Sequence, residues 1–93
     1  MWAVVVEVDN REEDPEEGRR GLREELAPAV GQLPGFVSGT FMTAHDRGLG
    51  IEVVILETRD DAEQLAMGFL PGAAIRPGVR VTRTEVLEVA ATA

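Results

Sequence analysis

Few side chains in this chain can do chemistry, and they are single copies. It has one histidine, one tryptophan and one asparagine, with no tyrosine and no cysteine. His45 is the residue type suited to general-base or metal-ligand work near neutral pH. It lies in Ala44-His45-Asp46-Arg47-Gly48-Leu49-Gly50, a glycine-bearing hairpin loop, where a solvated turn residue is the plainer reading. Trp2 and Asn10 bracket the first apolar run, and Arg83 stands two residues before Glu85. Trp2, Asn10 and Arg83 could line a pocket between a sheet and its helices. Against that, Trp2 reads as edge packing, and Arg83 with Glu85 reads as an ion pair at a subunit interface. The ligand-binding candidates are therefore Trp2, Asn10, His45 and Arg83, and no set of them amounts to a catalytic constellation.

Several chemistries are excluded by spacing. A metal site needs three or four ligands, and one His without Cys supplies too few, so no metal is expected. Gly48-Leu49-Gly50 lacks the helix that a dinucleotide-binding glycine loop requires, and no Gly-Lys-Ser/Thr follows. Ser38 stands mid-strand rather than on a nucleophile elbow. No cofactor is implied. An apolar cavity with Asn10 or Arg83 converging on it would mark a ligand site.

Elements that position these residues follow from periodicity. Trp2–Asp9 alternates Trp2, Val4, Val6, Val8 against Ala3, Val5, Glu7, so it reads as a strand buried on both sides. Asp14-Pro15-Glu16-Glu17 opens a helix, with a capping Asp, Pro at the first position and a reciprocal Glu. Its stripe is Leu22, Leu26, Val30 and Leu33. Pro28 predicts a kink or a looser turn over Glu24–Pro28, and Gly18 and Gly21 allow close approach to the sheet. Leu33-Pro34-Gly35 breaks the chain before a second strand, Phe36–Thr43, and Ile51–Glu57 is a third. Thr58 caps a second helix, about Thr58–Leu70, with the stripe Ala62, Leu65, Ala66, Phe69. After a Pro/Gly loop closing at Pro77-Gly78, the last strand starts at Val79, with a change of phase at Val86-Leu87.

The order is βαββαβ, so residues 1–93 form one ferredoxin-like α+β domain. The expected sheet has four antiparallel strands with two helices on one face. Two helices cover only that face. The other face would leave several of Val4, Val6, Phe41, Val53 and Ile55, or their neighbours, in water, at about 1.5–3 kcal/mol each. A chain of 93 residues buries only roughly 60–65% of its unfolded surface and has no disulfide to help. A homodimer through the sheet faces is therefore expected. The alternative is a monomer whose open face is polar, supplied by Ser38, Thr40, Glu52 and Thr82.

Seventeen acidic residues stand against nine basic ones, all arginine, for a net charge of −8. That field opposes phosphate backbones and anionic lipid, so neither nucleic acid nor a membrane is an expected partner. The Met1–Glu7 start lacks a basic leader and reads as a strand, so the expected compartment is the cytoplasm.

Late-helix Pro28, the turn Leu33-Pro34-Gly35-Phe36, the glycine-bearing strand Val37-Ser38-Gly39-Thr40-Phe41, and Val53-Val54-Ile55-Leu56-Glu57-Thr58 running into an acidic helix start cover nearly the whole chain. With these features the chain resembles the dimeric α/β-barrel superfamily, in particular its antibiotic-biosynthesis-monooxygenase-like (ABM-like) small proteins. The resemblance implies two ferredoxin-like copies closed into a barrel. It implies little about activity, because the scaffold is shared by cofactor-free monooxygenases, haem-degrading enzymes, isomerases and ligand-sensing domains. Haem-degrading relatives use an Asn on strand 1 with a Trp and a His on or near the second helix. Here Asn10 follows strand 1, Trp2 begins it, and Thr58–Leu70 holds neither Trp nor His. The expected function is binding of a small apolar or aromatic molecule. The alternatives are cofactor-independent oxygenation of an aromatic or quinol-type substrate, and a structural dimerisation module.

Overall fold

The computed structural model describes residues 1–93. The strands are β1 (Trp2–Asp9), β2 (Phe36–Ala44), β3 (Leu49–Leu56), β4 (Ala74–Arg76) and β5 (Val79–Glu88). All neighbours are antiparallel, in the order β2-β3-β1-β5-β4. The fold is α+β and compatible with a ferredoxin-like one, but the sheet has five strands and not the expected four. The extra strand, β4, lies in the Pro/Gly loop and pairs Ala74 with Arg80 and Arg76 with Val79. Pro77-Gly78 makes the turn between them, Gly78 taking φ 79°, as a turn with Pro first and Gly second requires. Three residues between a glycine and a proline carry no alternation, so periodicity cannot announce such a strand.

The first helical segment runs α1 (Pro15–Gly21), a π turn (Leu22–Leu26) and α2 (Ala27–Val30). Asp14 caps it, accepting from the Glu17 N–H at 3.0 Å. Pro28 has no N–H to give the Glu24 carbonyl, and the turn before it widens so that the Ala27 N–H reaches the Leu22 carbonyl. The expected irregularity is thus a π turn. The second helix, α3 (Arg59–Ala66), starts under Thr58, which accepts from the Asp61 N–H at 3.1 Å. No helix is long and apolar enough to cross a membrane.

Val4, Val6 and Val8 of β1, Val54 and Leu56 of β3, and Val79 and Val81 of β5 meet Val30 and Ala62 in one core under the helices. A register shift between Phe36 and Ser38 turns Phe36 inward. Both Phe36 and Phe41 rings then lie against Gly39, where an added Cβ would stand 3.3–3.4 Å from them. The irregularity in the last strand falls opposite Glu7/Val8, with Thr82 as the extra residue, and not at Val86-Leu87.

Alternation from this register puts Val5, Met42, Ile51, Val53, Ile55 and Leu87 on the opposite, uncovered face. Val4, Val6 and Phe41 belong to the covered face instead. Glu52 also points into the covered face, so it cannot be part of a polar open surface.

Candidate functional site

Four segments bring polar side chains together at one end of the covered face. The β1 strand ends in Asn10, whose N–H bonds the Gly48 carbonyl at 3.1 Å. The loop after it returns at Glu13. The β2 strand presents Thr43 on the covered face and passes into the single 3-10 turn His45–Arg47. From the other side comes Arg76, the last residue of β4. Above them passes α1 at Gly18, where an added Cβ would stand 2.3 Å from Glu13 Oε1 and 2.8 Å from His45 Nε2. Glycine is thus the residue that lets the helix close over this pair.

The side chains form one hydrogen-bonded row. Asn10 Nδ2 donates to Thr43 Oγ1 at 3.0 Å and to the Leu49 carbonyl at 3.3 Å. Thr43 Oγ1 lies 3.0 Å from His45 Nδ1, and His45 Nε2 lies 3.1 Å from Glu13 Oε1. Arg76 completes the row, donating from Nε to Glu13 Oε2 at 2.5 Å and from an Nη to Oε1 at 3.5 Å. Against an ionised Glu13 the imidazole donates from Nε2, and in the neutral ring Nδ1 accepts the Thr43 hydroxyl proton. Both ring nitrogens are then engaged.

Burial makes the row unusual. The Glu13 and His45 side chains are 6% and 8% exposed. Burial by itself raises the Glu13 carboxyl, but hydrogen bonds from Arg76 and His45 and the charge of Arg76 outweigh it and hold the group below the ordinary glutamate range. Glu52, opposite Val6 and Phe41 in the sheet, is 4% exposed. Burial pushes its carboxyl up to about 7, against the opposing pull of Arg76. Asn10 is 2% exposed and its Oδ1 has no partner. An unpaired buried acceptor costs on the order of 1–3 kcal/mol.

Two cavities flank Arg76. One of about 350 Å³ lies between the loop after β1 and the β4–β5 hairpin, lined by Asp9, Arg11, Glu12, Arg76 and Arg80 among others. The other, about 250 Å³, lies between the π turn and β4, lined by Gly21, Glu25, Leu26, Ala29, Ile75 and Arg76. A third, of about 500 Å³, sits apart between Leu33-Pro34 and α3. None of the three is lined by Trp2, Asn10, His45 or Arg83.

Of the four residues singled out in the sequence, Asn10 and His45 come together and the other two go elsewhere. His45 is buried in the row and is not a solvated turn residue. Trp2 stands at the far end of β1, half-buried, with the Arg59 guanidinium 5.2 Å from its ring centroid. Arg83 lies on the uncovered face, 2.6 Å from Glu7 Oε2 and also bonded to Glu85. It therefore cannot converge with Asn10, which is on the other side of the sheet. Sequence reasoning missed Glu13, Thr43, Glu52 and Arg76. Only Glu52 carried a signal: it is the one charge inside Ile51-Glu52-Val53-Val54-Ile55-Leu56, in phase with the buried Val54 and Leu56. No group of three or more His, Asp or Glu side chains is placed to hold a metal ion. No family model matches this chain, and no curated protein is significantly similar to it.

Proposed function

We propose that this protein binds a small molecule at the end of the covered sheet face, beside Arg76, and works as a homodimer packed through the uncovered face in the manner of the ABM-like proteins it resembles. The observation that carries the reading is the buried row Asn10–Thr43–His45–Glu13–Arg76, which ends in the unpaired Asn10 Oδ1. A domain of this size gains little from burying so many polar groups; recognition of a ligand gives them a use. Binding is favoured over oxygenation because both His45 nitrogens are already bonded, which leaves no free imidazole nitrogen to take a substrate proton. The dimer is favoured because the uncovered face carries Val5, Ile51, Val53 and Ile55 as a continuous apolar patch.

Native mass spectrometry of the purified protein tests both parts. A mass of two chains plus an adduct supports them together. A bare two-chain mass that no small molecule alters leaves a structural dimerisation module. A monomer sinks the reading of the uncovered face.

A further inference from the structure

The cavity of about 500 Å³ between Leu33-Pro34 and α3 is built differently from the two beside Arg76. Its apolar walls are Leu33 and Pro34 of the turn before β2, Leu65 of α3, and Phe69 just beyond that helix. Leu65 and Phe69 also pack on the core, which fixes that wall in place. The polar groups are Asp60, Asp61 and Gln64. Asp61, Gln64, Leu65 and Gly68 fall at i, i+3, i+4 and i+7, so one helix face presents them together. No arginine lines the cavity, and neither aspartate has an ion-pair partner. The nearest cation in sequence, Arg59, is directed elsewhere, to Glu63 at 2.9 Å and over the Trp2 ring. Asp61 lies against the turn: a Cβ on Gly35, which takes φ 76°, would run into its Oδ2.

Gly68 is an independent sign of room. Its φ is not positive, and a Cβ there would meet nothing closer than the Leu65 carbonyl at 3.5 Å, an ordinary contact. Neither backbone nor packing requires glycine at this position in the cavity lining.

We propose that this cavity binds a small organic ammonium ion, with its apolar body against Leu33, Pro34, Leu65 and Phe69 and its charge at Asp60 and Asp61. The site is separate from the one beside Arg76 and does not depend on it. Its volume lies within the roughly 300–1,000 Å³ of small-molecule sites, which set a few polar groups in apolar walls. Charge complementarity fixes the sign. Two neighbouring carboxylates without a counter-charge repel an anion, and a cation relieves both of them. The net charge of −8 adds to that attraction. A bare metal ion finds too few ligands here and makes no use of the apolar walls.

The test is titration of the isotope-labelled protein with phenethylamine, followed through its amide resonances, with phenethyl alcohol as the neutral control and phenylacetate as the anionic one. Saturable shifts are expected at Leu33, Asp61, Leu65, Gly68 and Phe69, with the alcohol about tenfold weaker and phenylacetate without effect. Asp60→Asn/Asp61→Asn should bind the amine no better than the alcohol. Glu16→Gln/Glu88→Gln removes the same charge away from the cavity and should bind the amine as the parent does. Equal affinity for amine and alcohol overturns the proposal, as does amine binding that survives Asp60→Asn/Asp61→Asn or falls equally in Glu16→Gln/Glu88→Gln. Shifts centred on Gly78 and Arg80 would put the amine in the cleft beside Arg76 and overturn it too, as would the absence of any saturable shift. If Asp60→Asn/Asp61→Asn does not fold, the comparison of amine with alcohol on the unaltered protein decides alone.

Discussion

Glu13 Oε2 accepts the Arg76 Nε–H at 2.5 Å although the residues lie 63 positions apart. The contact ties the loop after β1 to the edge strand β4 and closes the polar row at its outer end. The β4 strand has only two register pairs with β5, so much of what holds the edge strand down is this one ion pair and the packing of Ala73 and Ile75 on the core.

Arg76→Met therefore leaves the Glu13 carboxylate buried beside His45 without its cation. Removing one partner of a buried pair costs about 3–5 kcal/mol. Urea denaturation at pH 7 should show a loss of that size, with protection from amide exchange lost first at the Val81 N–H, which bonds the Ala73 carbonyl at 2.9 Å. A loss below about 0.5 kcal/mol would mean that the pair behaves as an exposed one.

The two perturbed glutamates act on stability in opposite pH windows. Glu52 holds its proton more tightly when folded, up to about 7. Stability from it is complete below the unfolded value near 4.5 and is lost as pH rises from there to about 7. Glu13 is shifted down, so its contribution is present above that unfolded value and is lost as pH falls through the folded one. Stability should peak near pH 5. Glu52→Gln removes the alkaline-side loss, so at pH 8 the variant should be more stable than the parent by on the order of 3 kcal/mol, with the gain vanishing by pH 4.5. Thermal melts across pH 4–8 that run parallel for the two proteins would refute the assignment to Glu52.

Gly18 and Gly21 both sit in α1, and a count of helix propensities treats them alike. The structure separates them. A Cβ at Gly18 meets Glu13 Oε1 and His45 Nε2, whereas at Gly21 it meets only Glu25 Oε2, at 3.7 Å. Gly21→Ala should therefore stabilise by about 0.5–1 kcal/mol. Gly18→Ala should destabilise despite the same propensity gain, because the Glu13–His45 bond must move. Equal ΔG changes from chemical denaturation would place the row elsewhere.

What the sequence could disclose follows from how far each signal reaches along the chain. Alternation and caps are local, so β1, β3, the Asp14 and Thr58 caps and the disturbance at Pro28 were legible. Val53 and Ile55 do lie on the open face, but Val4, Val6 and Phe41 were misassigned to it because an apolar strand such as Val4-Val5-Val6 looks the same from both sides. Only its pairing with Glu52 and Thr84 shows that Val6 faces inward. The site was half legible: Asn10 and His45 stood out as single copies of their types. Glu13 and Arg76 did not, because each looks like any surface charge until the fold sets them against each other.

Val53 pairs with Val5 on one side and Thr40 on the other, at the middle of the uncovered face. In a monomer its side chain is half-buried and Val53→Glu costs little beyond strand propensity, about 1 kcal/mol or less. In a homodimer joined through this face the same change buries two carboxylates near the interface, close to Glu7 and Glu85, which already share Arg83. Two like charges there should break the dimer while each chain stays folded. Sedimentation equilibrium should give two chains for the parent and one for Val53→Glu, with unchanged far-ultraviolet circular dichroism. A parent that sediments as one chain, or a variant that remains paired, would mean that this apolar face is not what joins the copies.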